Sequence, residues 1–336
     1  MTKRAKVVWA MIVLAILTLA GPLSHEAAAK LVIKLPHGGA ATKKGFIHNF
    51  GFKFVELAAK YSNNEIEIRE FPARQLGTDQ TLFQKVRFQD DWIVVGGSNN
   101  LAPFAPSVGV LTLPYLFTSL DDVYKLINGP FVEVLNEKLI KEAGIRALGY
   151  ITGGFRHLTN SKRPVCSLED LKGLKIRVPK NALMIAAYKS WGINPVPMAW
   201  SEVFTALQQQ VIDGQDNPYI SIHANKFYEV QKYITEIQYL QWSGPIVISE
   251  RYYQGLSPDI RKTLEKAAID AALYQQKWVE ENRDIAKAKL MKKGMSICVP
   301  KDGEEWIKRA RATWPQFYDK VGGKANADLA LEYMKK

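Results

Sequence analysis

Chemistry is sparse in this chain. Its 336 residues hold two cysteines and five histidines, and no two histidines stand four apart. No His-Glu-x-x-His, Gly-x-Ser-x-Gly or Walker-type phosphate loop occurs in it, so the common zinc-protease, hydrolase and nucleotide-hydrolysing classes lose their usual signatures. Gly96-Gly97 follows an apolar segment but lacks a full dinucleotide fingerprint. There is no internal repeat and no low-complexity stretch. Beyond the first residues, no run of 18 apolar residues is available to cross a membrane. Cys166 and Cys298 are too far apart for a local metal motif. They read either as two buried thiols or, in an exported protein, as a bridge.

The chain is also short of acid. Against 45 Lys and Arg stand 33 Asp and Glu, a formal charge of +12. Basic chains take nucleic acid, anionic membranes or anionic solutes. No long basic run with interleaved aromatics and no zinc-finger spacing is present, which argues against nucleic acid.

What is there begins at the amino terminus. Lys3, Arg4 and Lys6 precede an apolar run from Val7 to about Leu23, broken by Gly21-Pro22 and followed by Ala27-Ala28-Ala29. Charged start, apolar centre and Ala-x-Ala site together read as a cleaved secretory signal over 1–29. That leaves an exported chain from Lys30 with a charge near +10, long enough for about two domains.

From Lys30 onward, strand and helix patterns alternate. The apolar residues Phe46, Phe50, Phe54, Leu57 and Ala58 recur at helical spacing. Extended segments are expected at Leu31–Leu35, Glu65–Phe71, Trp92–Val95, Ile145–Ile151, Phe155–Asn160, Leu174–Val178, Asn194–Met198 and Met295–Val299, with Gly96 to Asn100 as a loop. Ser201 is expected to cap a helix. Ser257-Pro258 opens an unusually long helical pattern that reaches Lys293. This order predicts an α/β fold with largely parallel sheets. Ligands of such sheets sit beyond the carboxyl ends of strands.

Candidate residues follow from that rule. In Leu174 to Pro179, apolar residues alternate with Lys175 and Arg177, and Arg177 stands where Pro179 ends the strand. A guanidinium there suits a carboxylate held by two parallel hydrogen bonds; a structurally paired arginine is the plainer reading. Arg156 follows Thr152-Gly153-Gly154, a small-residue stretch suited to a crossing between domains. Asn217 offers an amide donor and acceptor, although Asn before Pro also marks a turn. Trp200 reads as a staple for the helix start or as a stacking surface for a ligand. Asp213 and Asp216 are explained by the turn they occupy.

Several segments then resemble one family. Phe155 to Ser161 (FRHLTNS), Leu171 to Pro179 (LKGLKIRVP), Pro197 to Val203 (PMAWSEV), Asp213 to Pro218 (DGQDNP) and Asn225 to Val230 (NKFYEV) are similar to signatures of the solute-binding proteins of TRAP transporters, the tripartite ATP-independent periplasmic systems of DctP type. Gln75-Leu76-Gly77 and Leu113 to Phe117 fit the amino-terminal half. The resemblance implies a two-domain periplasmic binding protein fold with a long helix spanning both domains. Domain I is expected at 30–153 plus about 242–281, and domain II at 154–241 plus about 282–336. The implied role is capture of a small organic acid in the cleft for TRAP membrane permease subunits, by a monomer without cofactor, metal or catalysis. Arg177 would hold the ligand carboxylate, with Arg156, Asn217 and Trp200 assisting. Gln80, Asn99 and His37 are weaker candidates. The resemblance also puts Cys166 and Cys298 in one domain, which keeps a bridge open. A periplasmic enzyme acting on organic acids and a ligand-presenting sensory module are the rival readings.

Overall fold

The computed structural model describes residues 30–335; the expected signal segment 1–29 lies outside them. Two sheets organise the chain. In the first, β1 (Leu31–Pro36) pairs in parallel with β2 (Ile66–Phe71). Bridges Lys34–Trp92 and His37–Val95 set β1 beside β3 (Ile93–Val95). Beyond β3 the order continues through β10 (Gln241–Ser249) to β4 (Ile145–Phe155). The second sheet runs β11 (Ser296–Cys298), β9 (Tyr233–Thr235), β5 (His157–Asn160), β8 (Gly214–Asn217). An Ile176–Gly214 bridge extends it to the pair β6 (Arg177–Val178) and β7 (Val196–Pro197).

The expected parallel character holds except at the crossings. β4 leaves the first sheet and runs on as β5 into the second, while the chain from β9 returns as β10. Each incoming strand lies antiparallel to its neighbours: β10 to β3 and β4, β5 to β8 and β9. The small residues at the crossing have a physical reason. A Cβ on Gly153 would lie 2.8 Å from Cζ of Phe46, and Gly154 has φ +90°, a conformation that favours glycine.

The long helix is Pro258–Lys292, begun by Ser257, whose side chain accepts from Ile260 N. At about 1.5 Å per residue it spans roughly 50 Å. Its first part packs on helix Phe46–Tyr61 and on β4, its later part on helix Tyr219–Ala224. Gln275 treats β4 as another strand would. Its amide nitrogen donates to Thr152 O at 2.6 Å, and its oxygen accepts from Thr152 N at 3.2 Å. β4 is the edge strand of its sheet, so this satisfies backbone groups that no further strand reaches.

A disulfide joins Cys166 to Cys298, fastening β11 to the loop before Glu169. The carboxyl-terminal tail departs from the expected domain division. Helix Lys324–Lys335 packs on helix Leu120–Ile127, and Asn326 Nδ2 donates to Ser107 O, so the tail returns to the first lobe. Ala327, Ala330 and Met334 complete an apolar surface with Val123, Leu126 and Phe131 there, a long-range contact that helical periodicity alone does not specify.

Other expected elements shift. The strand Leu174–Val178 pairs regularly only at Arg177–Val178. Ser201 caps nothing: Trp200–Glu202 forms a 3₁₀ turn running straight into helix Val203–Gln208. Ser98–Leu101 is a short helical turn rather than a loop.

Candidate functional site

A cavity lies between the lobes, and Arg177, Arg156, Asn217, Trp200, Gln80 and Asn99 all line it. Arg177 is held at the end of β6 by its neighbour strand. The parallel pairing of Val178 with Pro197 brings Met198 alongside, and Met198 O accepts from both Nε at 3.0 Å and Nη2 at 2.7 Å of Arg177. One edge of the guanidinium is thereby fixed on a neutral carbonyl. The side chain is 3% exposed, and among the described residues no carboxylate lies within ion-pair distance of it. Burial and the nearby Arg156 pull its pKa down to about 10, which still leaves it cationic at neutral pH. Trp200 sits with its ring centroid 5.8 Å from the Arg177 Cζ and packs on Phe227 behind.

Arg156 is arranged differently from expectation. It occupies the break between β4 and β5, with its amide on Leu240 O. Its Nε donates to Asp216 Oδ2 at 2.5 Å and its Nη2 to Asp216 O at 2.6 Å. Tyr239 donates to the same carboxylate oxygen at 2.8 Å. Burial opposes the Arg156 charge, but Asp216 outweighs it and the pKa ends up raised. Asp216, which sequence reading explains as a turn residue, is therefore a buried counter-ion on β8. Of the two buried arginines, Arg156 takes the Asp216 carboxylate, and the cation left over is Arg177.

Asn217 closes β8 opposite His157. Its Nδ2 donates to Gln215 Oε1 at 2.5 Å, leaving the amide oxygen available. His37 does not reach the cavity wall. It is fully buried, accepts from Gly39 N at Nδ1 (3.1 Å) and meets Glu70 Oε1 through Nε2 (2.7 Å). His48 meets the same oxygen at 2.8 Å. These three side chains are the group among the described residues close enough to share a metal ion. The Gly39 bond fixes Nδ1 as the acceptor, however, so Nε2 carries the hydrogen and faces Glu70 as a donor. The cluster serves as a partly buried brace for the Gly38-Gly39 loop, which does line the cavity.

Sequence reasoning passes over Asp79, Asn100, Asn225 and the aromatic walls Phe46 and Trp242, all of which line the cavity. Asp79 is the most consequential; its place in Thr78-Asp79-Gln80, directly after the Gln75-Leu76-Gly77 segment, is the sequence signal that points to it.

Two α/β lobes joined by crossing strands, with a buried cation facing the cleft between them, define a solute-binding protein of the two-lobed type. Comparison with known proteins agrees. The model for the bacterial extracellular solute-binding protein family 7, DctP, matches residues 37–321, and the chain belongs to that family of binding proteins rather than enzymes. It is 32% identical over 267 residues to the 2,3-diketo-L-gulonate-binding periplasmic protein YiaO of Escherichia coli K12, covering 80% of this chain and 81% of the relative. A TRAP periplasmic solute-binding protein from Rhodobacter sphaeroides, solved in an open ligand-free form, is 44% identical, with TM-score 0.78, over 90% of this chain and 98% of that one. A further TRAP protein, from Polaromonas, solved with D-erythronate, is 28% identical with TM-score 0.84 over the same shares.

Proposed function

We propose that this protein captures a small organic acid outside the cytoplasm and hands it to the membrane permease of a TRAP transporter. The observation that carries the reading is the buried Arg177 guanidinium, anchored on the Met198 carbonyl and without a carboxylate of its own. An uncompensated buried cation is costly, and a ligand carboxylate supplies the missing charge with directed hydrogen bonds. Asn217 adds an acceptor and donor, and Trp200 a flat wall. Arg156, held by Asp216, adds positive potential rather than a free fork. Ligand-dependent closure then proceeds about the crossing strands near 153–156 and 240–242, with the long helix as a brace. Closure removes water and strengthens each charged contact. The lobes divide for this purpose at these crossings, with the tail beyond about 312 joined to the first. The segment 1–29 serves as a cleaved export signal, and the cargo travels in the periplasm.

The test is a thermal-shift screen against organic acids, with neutral sugars and amines as controls. A ligand that binds only the folded state raises the melting temperature with concentration. The reading predicts shifts confined to carboxylates; shifts with neutral sugars or amines alone contradict it.

A further inference from the structure

The charged side chains that line the cavity are divided by lobe. Arg156, Arg177 and Lys180 all come from the second lobe. Among the described residues, the first lobe contributes one charged group, Asp79, at the start of helix Asp79–Val86. Its carboxylate lies against Gly38, where an added Cβ would fall 2.2 Å from Oδ1, so only glycine fits beneath it. Asn100 Nδ2 approaches Oδ2 at 3.4 Å. Arg74 holds Gly38 O at 3.1 Å through Nη1 and stands behind this wall rather than on it. Burial pushes the Asp79 carboxyl up from its ordinary value, against the pull of Arg74 and Arg177. The remaining polar side chains of this wall, among them Gln80, Asn99 and Asn100, are neutral.

We infer that Asp79 is a specificity-determining residue, selecting an organic acid with one carboxylate and a hydroxyl-bearing far end, and turning away a second carboxylate. The inference rests on the capture of a carboxylate at Arg177. With that carboxylate at the second lobe, the far end of the ligand faces an anionic acceptor and carboxamides. Hydroxyl groups donate to such a surface. A second carboxylate would meet a like charge in a site closed to water, where repulsion is strong.

The test uses acid pairs that differ only at the far terminus, a primary alcohol in one and a carboxylate in the other: glycerate with tartronate, D-erythronate with meso-tartrate, galactonate with galactarate. Calorimetric titration of the wild-type protein is expected to favour the alcohol-terminated member by about tenfold or more, which is about 1.4 kcal/mol. Asp79→Asn keeps an acceptor towards Asn100 and removes the charge, and is expected to shrink that preference by about tenfold. Tighter binding of the two-carboxylate member by the wild type overturns the inference and leaves the capture reading intact. So does an unchanged preference in a folded Asp79→Asn protein. Because the first comparison needs no variant, a misfolded mutant does not blunt it. Silence with every pair and every other organic acid overturns the capture reading, and the inference with it.

Discussion

Asp216 accepts from Arg156 Nε at 2.5 Å inside the second lobe, with both side chains almost wholly buried. The pair decides how the two cleft arginines divide their work. Arg156 is spoken for, and Arg177 is not. Removing one partner of a buried ion pair leaves a charge without compensation, at a cost of about 3–5 kcal/mol. Asp216→Asn is therefore expected to lower stability by about that much in urea unfolding. Tyr239→Phe, which removes one hydrogen bond to the same carboxylate, is expected to cost only about 1.5–3 kcal/mol.

Arg177→Lys keeps a positive charge but loses the planar fork and its double hold on Met198. Its ligand affinity is expected to fall by about 2–4 kcal/mol, roughly 30- to 1,000-fold. Isothermal titration of wild type and variant measures this. Near-normal binding by the lysine protein would exclude the two-point grip.

The Cys166–Cys298 bridge joins two parts of the second lobe, closing a loop of 132 residues that passes through the first lobe, and lies away from the cavity lining. Replacing both cysteines by serine is expected to lower unfolding stability by about 2–4 kcal/mol. Ligand affinity should be unchanged, because no cavity residue moves. A large affinity loss in the folded double variant would contradict this separation.

His157 lies buried against Tyr219, and burial drives its pKa down to about 3. The unfolded chain takes up a proton near the ordinary histidine value of about 6.5, and the folded chain does not. Stability from this residue is therefore fully present above about pH 6.5 and falls as the medium is acidified towards pH 3. The slope approaches about 1.4 kcal/mol per pH unit. Unfolding free energies at pH 6.5 and pH 5 should differ less for His157→Gln than for wild type, whatever the variant's overall stability.

Much of this site is legible in the sequence because short segments carry it. Alternation around Arg177 and the stop at Pro179 point to a strand end, and the structure puts Arg177 there. The long helix from Ser257 is legible from its cap and its length. The Arg156–Asp216 pair is not, since 60 residues separate its members and nothing local distinguishes an acid in a turn from a buried counter-ion. Asp79 escapes for a similar reason: it meets the cleft only once β1 and its Gly38-Gly39 loop are folded beside it. The return of the tail to the first lobe is likewise a matter of which apolar face finds which. His37 shows the opposite error, a residue type suited to ligand contact that instead braces a loop from behind.

The central claim is that the cleft reads the charge of a carboxylate through Arg177. The most direct measurement is the affinity of a bound organic acid beside that of its primary amide, in wild type and Arg177→Ala. The account predicts that the acid binds wild type at least about 100-fold more tightly than the amide, about 2.7 kcal/mol, and that this difference collapses in Arg177→Ala. An amide that binds as well as the acid, or a preference that survives the loss of Arg177, would contradict it.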